Sequence, residues 1–327
     1  MGKYKQKTAL ITGVAGALGT KLADRLLSKN YKVYGIDNFC SGQRKNSKQL
    51  ELKYSNFEFS EADAEDAKYL IKSVKPDEIY HAASPASPPV YDAYPFETIR
   101  VNTETTHQML ESVKHFSRES MFMFFSTSEV YGDPKQHPQK ESYTGDLDNI
   151  AIRSLYDNSK RLGETITYEF YRRYKIDVRI PRFFNSYSEA MNPEDGRVIT
   201  NFVKQAIAGE PLTIYGGGKQ TRSICYVEDT VDAIELLRDS SYHKPVNIGN
   251  DQELTIMQIA SLVYGIVNGL EARTDHSFPK INLPLPAGDP TQRKPDLTLC
   301  RTLLGWSAKH SPEEGLTKYI QHIKQTM

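Results

Sequence analysis

Two residues spaced four apart, Tyr156 and Lys160, form the pattern with the clearest catalytic potential in this sequence. On a helix this spacing places both side chains on one face, one turn apart. A cationic lysine beside a phenol favours the phenolate and lowers the pKa of the tyrosine from about 10. The pair is therefore predicted to take a proton from a hydroxyl group while hydride leaves the same carbon, although the spacing also occurs often by chance.

A glycine-rich segment near the N-terminus could bind the hydride acceptor. Gly13, Gly16 and Gly19 follow an apolar strand-like run with the spacing GxxGxxG and open a helical pattern. Glycines at such positions allow a tight turn, close approach of the backbone to a pyrophosphate, and close packing of helix on strand. The helix N-terminus adds free N–H groups for the phosphates.

Acidic residues after the next strand-like runs fit the remainder of a dinucleotide. Asp37 ends the second run, where a carboxylate accepts hydrogen bonds from ribose hydroxyls and repels a 2′-phosphate. This position predicts NAD rather than NADP, the alternative being an ordinary loop carboxylate. Asp63 and Ala64 follow the next strand-like run after Asp37, near the expected adenine, although an acid at a helix start is usually only an N-cap.

A third group of polar residues follows the apolar run 121–125. Thr127 and Glu129 lie where the carboxyl ends of parallel strands face a ligand crevice. Thr127 can hydrogen-bond a reacting hydroxyl, and Glu129 offers a carboxylate close to it. The alternative is a Ser/Thr-rich turn that caps the next helix, and for Ser128 this interpretation is preferred.

The elements that must position these residues alternate between strand and helix. Strand-like runs at 8–12, 31–36, 78–81, 121–125 and 176–180 alternate with helical patterns at 17–28, 98–116 and 155–174. This order predicts an α/β fold, a Rossmann-type doubly wound parallel sheet with helices on both faces.

The pattern changes after about residue 183, where prolines divide the chain into short pieces. Residues 1–183 are therefore assigned mainly to an NAD-binding domain, and residues 184–327 mainly to a smaller C-terminal substrate-binding lobe. About residues 223–250 are expected to return to the sheet. The run 216–218 of three glycines is interpreted as a turn between strands, since no helix follows it.

Composition limits the class of protein. The 327 residues include 41 basic and 41 acidic ones, and this balance argues against a nucleic-acid partner or an anionic membrane. There is no apolar run of membrane-spanning length and no room for a signal peptide before residue 8. Three distant cysteines, Cys40, Cys225 and Cys300, exclude a disulfide framework and a cysteine-based zinc site. A cytoplasmic protein without a metal is expected.

Six segments together carry a resemblance that spans nearly the whole chain: 81–89, 127–134, 156–161, 196–198, 218–223 and 293–296. They are similar to the UDP-glucuronate decarboxylase (UDP-xylose synthase) family of extended short-chain dehydrogenases/reductases. The Thr127-Ser128-Glu129 triplet is the most discriminating feature. Related 4,6-dehydratases carry Asp-Glu after the threonine, and simple 4-epimerases usually lack the acid that matches Glu129.

The motifs and the resemblance together imply a set of site residues and a homodimer that pairs through helices 98–116 and 155–174. The residues expected to bind NAD are Gly13, Gly16, Ala17, Leu18, Gly19, Asp37, Asn38, Asp63, Ala64, Ala82, Tyr156 and Lys160. The expected catalytic residues are Tyr156, Lys160, Thr127, Glu129 and Arg293. The expected contacts to a nucleotide-sugar substrate are Ser87, Thr127, Asn185, Arg222 and Arg293. Without the resemblance, Arg293 would be interpreted as a surface arginine in a proline-rich loop.

The predicted reaction is NAD-dependent decarboxylation of a nucleotide-linked uronic acid, in the first place UDP-glucuronate to UDP-xylose. It proceeds through a 4-keto intermediate with internal recycling of NADH, and Glu129 or Arg293 is expected to deliver a proton to C5. The alternatives are a nucleotide-sugar 4-epimerase or 4,6-dehydratase, a decarboxylase of an N-acetylated UDP-uronate, and a non-catalytic NAD-binding protein.

Three positions depart from the family pattern in the half of the site expected to hold substrate. Glu189-Ala190 stands where Pro-Arg is usual, Thr144 replaces a tryptophan, and Ala151-Ile152 replaces Gly-Pro before Arg153. These departures bear on the identity of the sugar more than on the reaction.

Overall fold

The computed structural model describes residues 6–270, 277–286 and 288–326. The strands are β1 (Thr8–Thr12), β2 (Lys32–Asp37), β3 (Phe57–Glu61), β4 (Glu78–His81), β5 (Met121–Phe124), β6 (Ser126–Thr127), β7 (Val178–Phe183), β8 (Ser186–Tyr187), β9 (Leu212–Tyr215), β10 (Thr221–Ser223), β11 (Cys225–Tyr226), β12 (Pro245–Ile248), β13 (Glu253–Thr255), β14 (Lys280–Leu283) and β15 (Gln292–Arg293). Residues 1–5, on which the expectation about a signal peptide rests, lie outside the described part.

The helices cover the faces of the sheet and alternate with the short strands of the second half of the chain. They are α1 (Ala17–Ser28), α2 (Arg44–Lys53), α3 (Ala67–Val74), α4 (Pro88–Ala93), α5 (Pro95–Arg100), α6 (Thr106–Phe116), α7 (Ser154–Tyr174), α8 (Val198–Ile207), α9 (Val227–Asp239), α10 (Ile256–Asn268), α11 (Thr298–Leu304) and α12 (Pro312–Thr326).

The main sheet has the order β3-β2-β1-β4-β5-β7-β12, and β6 also pairs with β7. Each of these pairs is parallel. The central strand β5 is apolar and fully buried, and β4 beside it is fully buried although it contains Glu78 and His81. Burial on both faces is typical of strands in a parallel sheet. The predicted Rossmann-type doubly wound sheet is confirmed, and its strand order reverses between β1 and β4, the place where such sheets bind ligands.

Most predicted elements are found within a few residues of their expected bounds. The helix 17–28 and the strand 78–81 coincide with α1 and β4. The helix predicted at 98–116 begins earlier, at Pro95, because proline suits a first helical turn, and it contains a π-helical turn at Val101–Thr105. The strand predicted at 176–180 runs instead over Val178–Phe183.

The chain returns to the sheet after residue 223, as expected. Helix α9 packs beside α1, where Arg25 of α1 forms ion pairs with Asp232 and Glu235 of α9. Strand β12 then pairs with β7 at the edge of the sheet. Because this segment interleaves the two halves, the division at residue 183 describes only where most of each half lies, and it stays a prediction.

Small sheets in the second half hold side chains over the carboxyl edge of the main sheet. Strands β13, β10 and β15 form one of them, and Arg222 of β10 lies in register with Arg293 of β15. This pairing joins two segments far apart in sequence. The three glycines at Gly216–Gly218 form a short 3-10 turn between β9 and β10, so the prediction of a turn is confirmed.

The helices were also compared with the requirements of a membrane span. Among the helices formed by the described residues, none is both long and apolar enough to cross a bilayer.

Candidate active site

The turn between β1 and α1 depends on two glycines that leave no space for a side chain. Gly13 has a φ of +72°, and a Cβ atom there would lie 2.7 Å from the backbone of Ala83. A Cβ atom on Gly19 would lie 2.2 Å from the carbonyl oxygen of Gly13. Gly19 therefore lets α1 pack directly against the turn, which keeps the helix N-terminus at the edge of the cleft.

The N-terminus of α1 is open to a ligand. Gly16 occupies the N-cap position, no side chain caps the helix, and its first turn contains no acidic residue. The free N–H groups and the positive end of the helix dipole suit a pyrophosphate. Ala17 and Leu18 form this first turn, as predicted.

A cleft beside this turn collects the other predicted cofactor residues. It is an open cleft that contains about 770 Å³ of space, including the solvent at its mouth. The predicted residues along its walls are Gly13, Gly16, Asp37, Asn38, Asp63, Ala64 and Ala82. A dinucleotide fits these residues, since they offer open backbone at one end and carboxylates at the other.

Asp37 is held in place by the backbone. Its carboxylate accepts hydrogen bonds from the N–H groups of Ala15 at 2.9 Å and Phe39 at 2.8 Å. Burial raises the pKa of Asp37, and these two hydrogen bonds oppose the shift. Asp63 stands at an N-cap position but accepts a hydrogen bond from Asn38 at 2.7 Å, so it joins two loops at the mouth of the cleft.

Tyr156 and Lys160 lie one turn apart on α7, as predicted, but they do not interact as expected. Lys160 Nζ donates to the Phe125 carbonyl at 2.7 Å and lies 6.0 Å from the centre of the Tyr156 ring. Burial raises the pKa of Tyr156, and a hydrogen bond with Thr127 lowers it only in part. Burial also lowers the pKa of Lys160 to about 7. The expectation that Lys160 lowers the pKa of Tyr156 is wrong for the protein alone, because desolvation of both groups dominates.

The end of β6 places Thr127 and Glu129 at the carboxyl edge of the sheet. Thr127 Oγ1 accepts a hydrogen bond from the N–H of Glu129 at 3.2 Å, so Thr127 caps the short 3-10 turn that follows. The cap expected at Ser128 is thus provided by its neighbour, because Thr127 has the extended backbone that a capping residue needs. Thr127 is therefore fixed beside the Tyr156 phenol.

Glu129 lies at the centre of a buried group of charges. Its Oε2 atom is 2.5 Å from Arg153 Nη2 and 3.3 Å from Arg293 Nη2. Burial raises the pKa of Glu129, but the positive charges of Arg293 and Arg153 outweigh burial and lower it to about 2. The carboxylate is ionised at neutral pH, so the expectation that Glu129 supplies a proton does not fit its surroundings.

Arg293 and Arg222 come from adjacent strands of the second half. Arg293 is only 1% exposed and donates to the carbonyl groups of Ser128 and, at 3.0 Å, Gly132. It is not a surface arginine. Arg222 Nη2 lies 3.1 Å from Asp289, whose other oxygen is 3.5 Å from Arg153. The cations of this pocket are therefore linked to one another through carboxylates.

Two predicted substrate residues have buried polar atoms without a partner among the described residues. They are the hydroxyl of Ser87 and the side-chain nitrogen of Asn185. Buried polar groups are rarely left unpaired, so such atoms are typical of a place where a ligand completes the hydrogen bonding. Both residues lie on turns that follow strands, and Asn185 has a φ of +36°.

Three residues of this pocket were not predicted as site residues: Arg153, Asp157 and Tyr91. The Tyr91 ring stacks on the Tyr156 ring, with centroids 5.2 Å apart and planes inclined by 9°. Asp157 is 5% exposed, and one of its oxygens has no partner in the described structure. Asp157 lies inside the Tyr156–Lys160 motif and four residues after Arg153, a spacing that could have indicated a shared helix face.

Two departures from the family pattern, at Glu189-Ala190 and at Thr144, have contacts that the structure describes. Glu189 forms an ion pair with Lys21 of α1 at 3.0 Å and accepts a hydrogen bond from Tyr226, so its charge is neutralised. The carbonyl of Ala190 accepts hydrogen bonds from side chains that follow β2. Thr144 lies in a second cavity whose walls include Arg161 and Glu164. In the described structure Glu189 and Ala190 thus connect the segment after β8 to α1 and to the segment after β2.

Comparisons with known proteins agree with this arrangement. Residues 10–319 match the sequence profile of the GDP-mannose 4,6 dehydratase family. The chain is 39% identical over 327 residues to UDP-glucuronic acid decarboxylase 1 of Danio rerio, covering all of this chain and 75% of that protein. It is 39% identical over 326 residues to UDP-glucuronic acid decarboxylase 2 of Arabidopsis thaliana, covering 99% of this chain and 69% of that one.

A solved structure shares the whole architecture. UDP-glucuronic acid 4-epimerase from Bacillus cereus, in complex with UDP-glucuronic acid and NAD, matches with a TM-score of 0.85 and 29% identity. The match covers 98% of this chain and all of that one. With its glycine-rich turn, its Tyr156–Lys160 pair and this full-length similarity, the chain belongs to the UDP-glucuronate decarboxylase family of extended short-chain dehydrogenases/reductases.

Proposed function

We propose that the chain is an NAD-dependent carboxy-lyase that converts UDP-glucuronate to UDP-xylose and CO₂. The observation that carries this function is the buried group of arginines around Glu129, next to Tyr156, in a chain similar over its full length to UDP-glucuronic acid decarboxylases. Cations in a buried pocket suit a substrate that brings a carboxylate and a diphosphate.

The cofactor is NAD, and the first cleft supplies its binding groups. The N-terminus of α1 would hold the pyrophosphate, Asp37 would accept hydrogen bonds from the ribose hydroxyls, and Asp63 with Ala64 would lie near the adenine. When bound, NAD supplies a hydride acceptor for the sugar C4 and a positive charge. The carboxylate of Asp37 disfavours a 2′-phosphate, so NAD is preferred over NADP.

Tyr156 and Thr127 act on the C4 hydroxyl. The phenol oxygen of Tyr156 takes the hydroxyl proton as the carbon is oxidised, and Thr127 hydrogen-bonds the same oxygen. The Thr127 hydrogen bond and the positive charge of Arg197 both favour the phenolate of Tyr156. After oxidation the C6 carboxylate is β to a ketone and loses CO₂, with the electron pair moving towards the C4 oxygen. Tyr156, now protonated, and Thr127 stabilise that oxygen.

The second half of the chain holds the rest of the substrate. Arg222 and Asn185 bind the diphosphate, and Arg293 approaches the sugar carboxylate. Glu129 fixes the Arg153 and Arg293 guanidinium groups and thereby keeps them in the pocket before substrate arrives. The buried hydroxyl of Ser87 offers one further hydrogen bond to the sugar.

The experiment that tests this function is mass spectrometry of UDP-glucuronate incubated with purified protein and NAD⁺. We expect a product lighter by CO₂ and no net consumption of the cofactor. A product lighter by water, or none from folded protein that binds NAD, would contradict the proposal. If folded protein binds NAD but gives no product, an N-acetylated UDP-uronate is the next substrate to test.

A second candidate is a UDP-glucuronate 4-epimerase, favoured by the fold shared with the Bacillus cereus enzyme. An epimerase must rotate the 4-keto sugar without losing its carboxylate. A product of unchanged mass but altered configuration at C4 would identify this activity. The Thr127-Ser128-Glu129 triplet favours decarboxylation, because Glu129 holds the arginines that the carboxylate meets.

We also propose a homodimer that pairs through α5, α6 and α7. Three large apolar side chains on this surface are solvent-exposed, namely Phe96 (80%), Ile99 (39%) and Leu162 (50%). Exposed apolar patches on helices are typical of interfaces between subunits. Sedimentation of the wild type as a dimer, and of Leu162→Glu as a monomer, would support this assembly. A monomeric wild type would contradict it.

A cytoplasmic location is proposed as well. The three cysteines are free, and two of them, Cys225 and Cys300, are buried thiols, as is common in a reducing compartment. Fractionation of cells that produce the full-length protein tests this location, and recovery with a membrane or secreted fraction would contradict it.

A further inference from the structure

Four buried polar atoms without a partner in the described residues surround Glu129. They are the Tyr91 hydroxyl, one Asp157 oxygen, and the Nε atoms of Arg153 and Arg293. A buried polar atom without a partner destabilises the folded protein unless a ligand or water completes it. Asp157 differs from the others because it is an acid with no hydrogen bond from any of its neighbours in the described structure.

The reaction itself requires a proton from such a group, if the proposed function holds. A carboxylate that leaves as CO₂ leaves its electron pair on the sugar, and C5 must then gain one proton. Tyr156 takes a proton from the C4 hydroxyl and returns it to the same oxygen, so it has no proton left for C5. One further group in the pocket must therefore carry a proton at neutral pH.

The other polar groups of the pocket are unsuitable. Glu129 is ionised because two guanidinium groups hold its carboxylate. Guanidinium groups do not lose a proton in proteins, which excludes Arg153 and Arg293. Lys160 is bound to the Phe125 carbonyl, on the side of α7 that faces the sheet.

Asp157 meets the requirement. It is 5% exposed and lies one residue after Tyr156 and one helical turn after Arg153. Burial raises the pKa of its carboxyl group, and the negative charge of Glu129 raises it further, to about 8. The pKa values of Glu129 and Asp157 are thus shifted in opposite directions, a pattern typical of a paired base and acid.

We propose that Asp157 is the acid that protonates C5 after CO₂ has left. The O–H bond of the Asp157 carboxyl group breaks and a C5–H bond forms, while the electron pair of the enolate closes the C4 carbonyl. Asp157 becomes a carboxylate and regains its proton from solvent, which agrees with the one proton that each decarboxylation consumes. Glu129 positions Arg153 and Arg293 and transfers no proton.

The first test is Asp157→Asn, which keeps the shape of the side chain and removes the acid. In a single turnover with UDP-glucuronate we expect CO₂ release to persist, while formation of the finished UDP-pentose falls by about 10²–10⁴-fold. The missing product is expected to leave the site as the enol, which takes a proton from bulk water at C5 and is recovered as UDP-4-keto-pentose, while the reduced cofactor stays on the protein. Asp157→Glu should restore part of the pentose formation.

Tyr91→Phe serves as the comparison, since it keeps the stacked ring and removes a second uncharged acidic hydrogen near Asp157. The UDP-pentose should remain its main product. Wild-type pentose formation by Asp157→Asn would overturn the proposal. A Tyr91→Phe variant that releases UDP-4-keto-pentose instead of the finished pentose would also overturn it. A wild type that releases no CO₂ would instead overturn the proposed function, so the two failures are distinguishable.

A measurement on the wild type avoids any question of folding in the variants. Because a general acid acts only when protonated, the ratio of released 4-keto-pentose to finished pentose should rise as pH increases above about 8. A ratio independent of pH over this range would contradict the role of Asp157. The groups that face Asp157 and shape this titration are Glu129 from the turn after β6, Arg153 and Tyr156 from α7, Arg293 from β15, and Tyr91 from α4.

Discussion

The cofactor cleft and the sugar pocket lie at the same edge of one sheet, but they are built in opposite ways. The cleft comes from the N-terminal half, and its key acid, Asp37, accepts two backbone hydrogen bonds before any ligand binds. The pocket combines side chains from α4, α7, the turn after β6, and β10 and β15 of the second half. It retains buried polar atoms that have no partner in the described structure.

This difference indicates which of the two regions, the cofactor cleft or the sugar pocket, is optimised for stability. A site formed by satisfied backbone groups loses stability when it is changed. A site formed by desolvated ionisable groups holds pKa values far from their ordinary range. Where burial raises the pKa of an acid, as at Asp157, replacing that acid by a neutral group can stabilise the folded protein. Substitutions in the two regions should therefore affect binding, turnover and folding differently.

The largest effect is expected in the sugar pocket. Tyr156→Phe removes the base for the C4 hydroxyl and should reduce turnover by about 10³-fold or more. NAD binding should persist, because the cleft residues and α1 are untouched. Steady-state rates and a titration with NAD measure the two effects. Near-normal turnover would contradict the role of Tyr156, and an equal loss of NAD affinity would contradict the separation of the two regions.

The cofactor cleft should respond most strongly to a methyl group at Gly19. Its Cβ atom would lie 2.2 Å from the Gly13 carbonyl oxygen, so α1 must move away from the turn. We expect Gly19→Ala to lower the free energy of unfolding by about 3 kcal/mol and to abolish NAD binding. Thermal unfolding and an NAD titration measure both.

Gly209 provides the matched control for Gly19. A Cβ atom there has no described neighbour within 4 Å, and only its φ of +71° opposes alanine. Gly209→Ala should therefore cost about 1 kcal/mol and leave NAD binding intact. Equal effects of the two substitutions would contradict the role assigned to the contact between position 19 and the Gly13 carbonyl oxygen.

Neutralising Asp157 should stabilise the folded protein. Its pKa is raised to about 8 by burial and by Glu129, against about 3.9 in an unfolded chain. Between these values the folded protein holds a proton that the unfolded chain has released, so this contribution to stability is lost as pH rises from about 4 to about 8. Asp157→Asn removes this pH dependence of stability. Its free energy of unfolding at pH 8 should exceed that of the wild type by about 2 kcal/mol.

Chemical denaturation at several pH values checks this expectation. The advantage of Asp157→Asn should shrink steadily as pH falls to about 4, and below that pH the wild-type carboxyl group becomes protonated in both states. A variant less stable than the wild type at every pH would mean that Asp157 makes a stabilising interaction as a carboxylate.

The smallest effect concerns the choice of cofactor. Asp37→Asn keeps a side chain of the same shape but removes the charge that binds ribose hydroxyls and repels a 2′-phosphate. NAD affinity should fall about tenfold, and the preference over NADP should shrink by a similar factor. Titrations with both dinucleotides measure the change, and an unaltered preference would assign the selectivity to other residues of the cleft.

The cofactor cleft and the sugar pocket also differ in how well they could be predicted from the sequence. The helix α1 and the residues of the cleft were predictable, because a local motif of strand, glycine turn and helix determines their positions. Asp157 and Tyr91 were not predicted as site residues, because their roles depend on contacts between segments far apart in sequence. The pKa values of Tyr156 and Glu129 depend on burial and on neighbouring charges, which no spacing of residues indicates.

Running the reaction of UDP-glucuronate in deuterated water tests decarboxylation and internal recycling of the cofactor together. We expect a product lighter by CO₂ that carries one deuterium on carbon, at C5, and retains the original hydrogen at C4. Mass spectrometry measures the mass of the product, and NMR identifies the carbon that carries the deuterium. A product of unchanged mass apart from exchange, a product lighter by water, or deuterium at C4 would contradict the account.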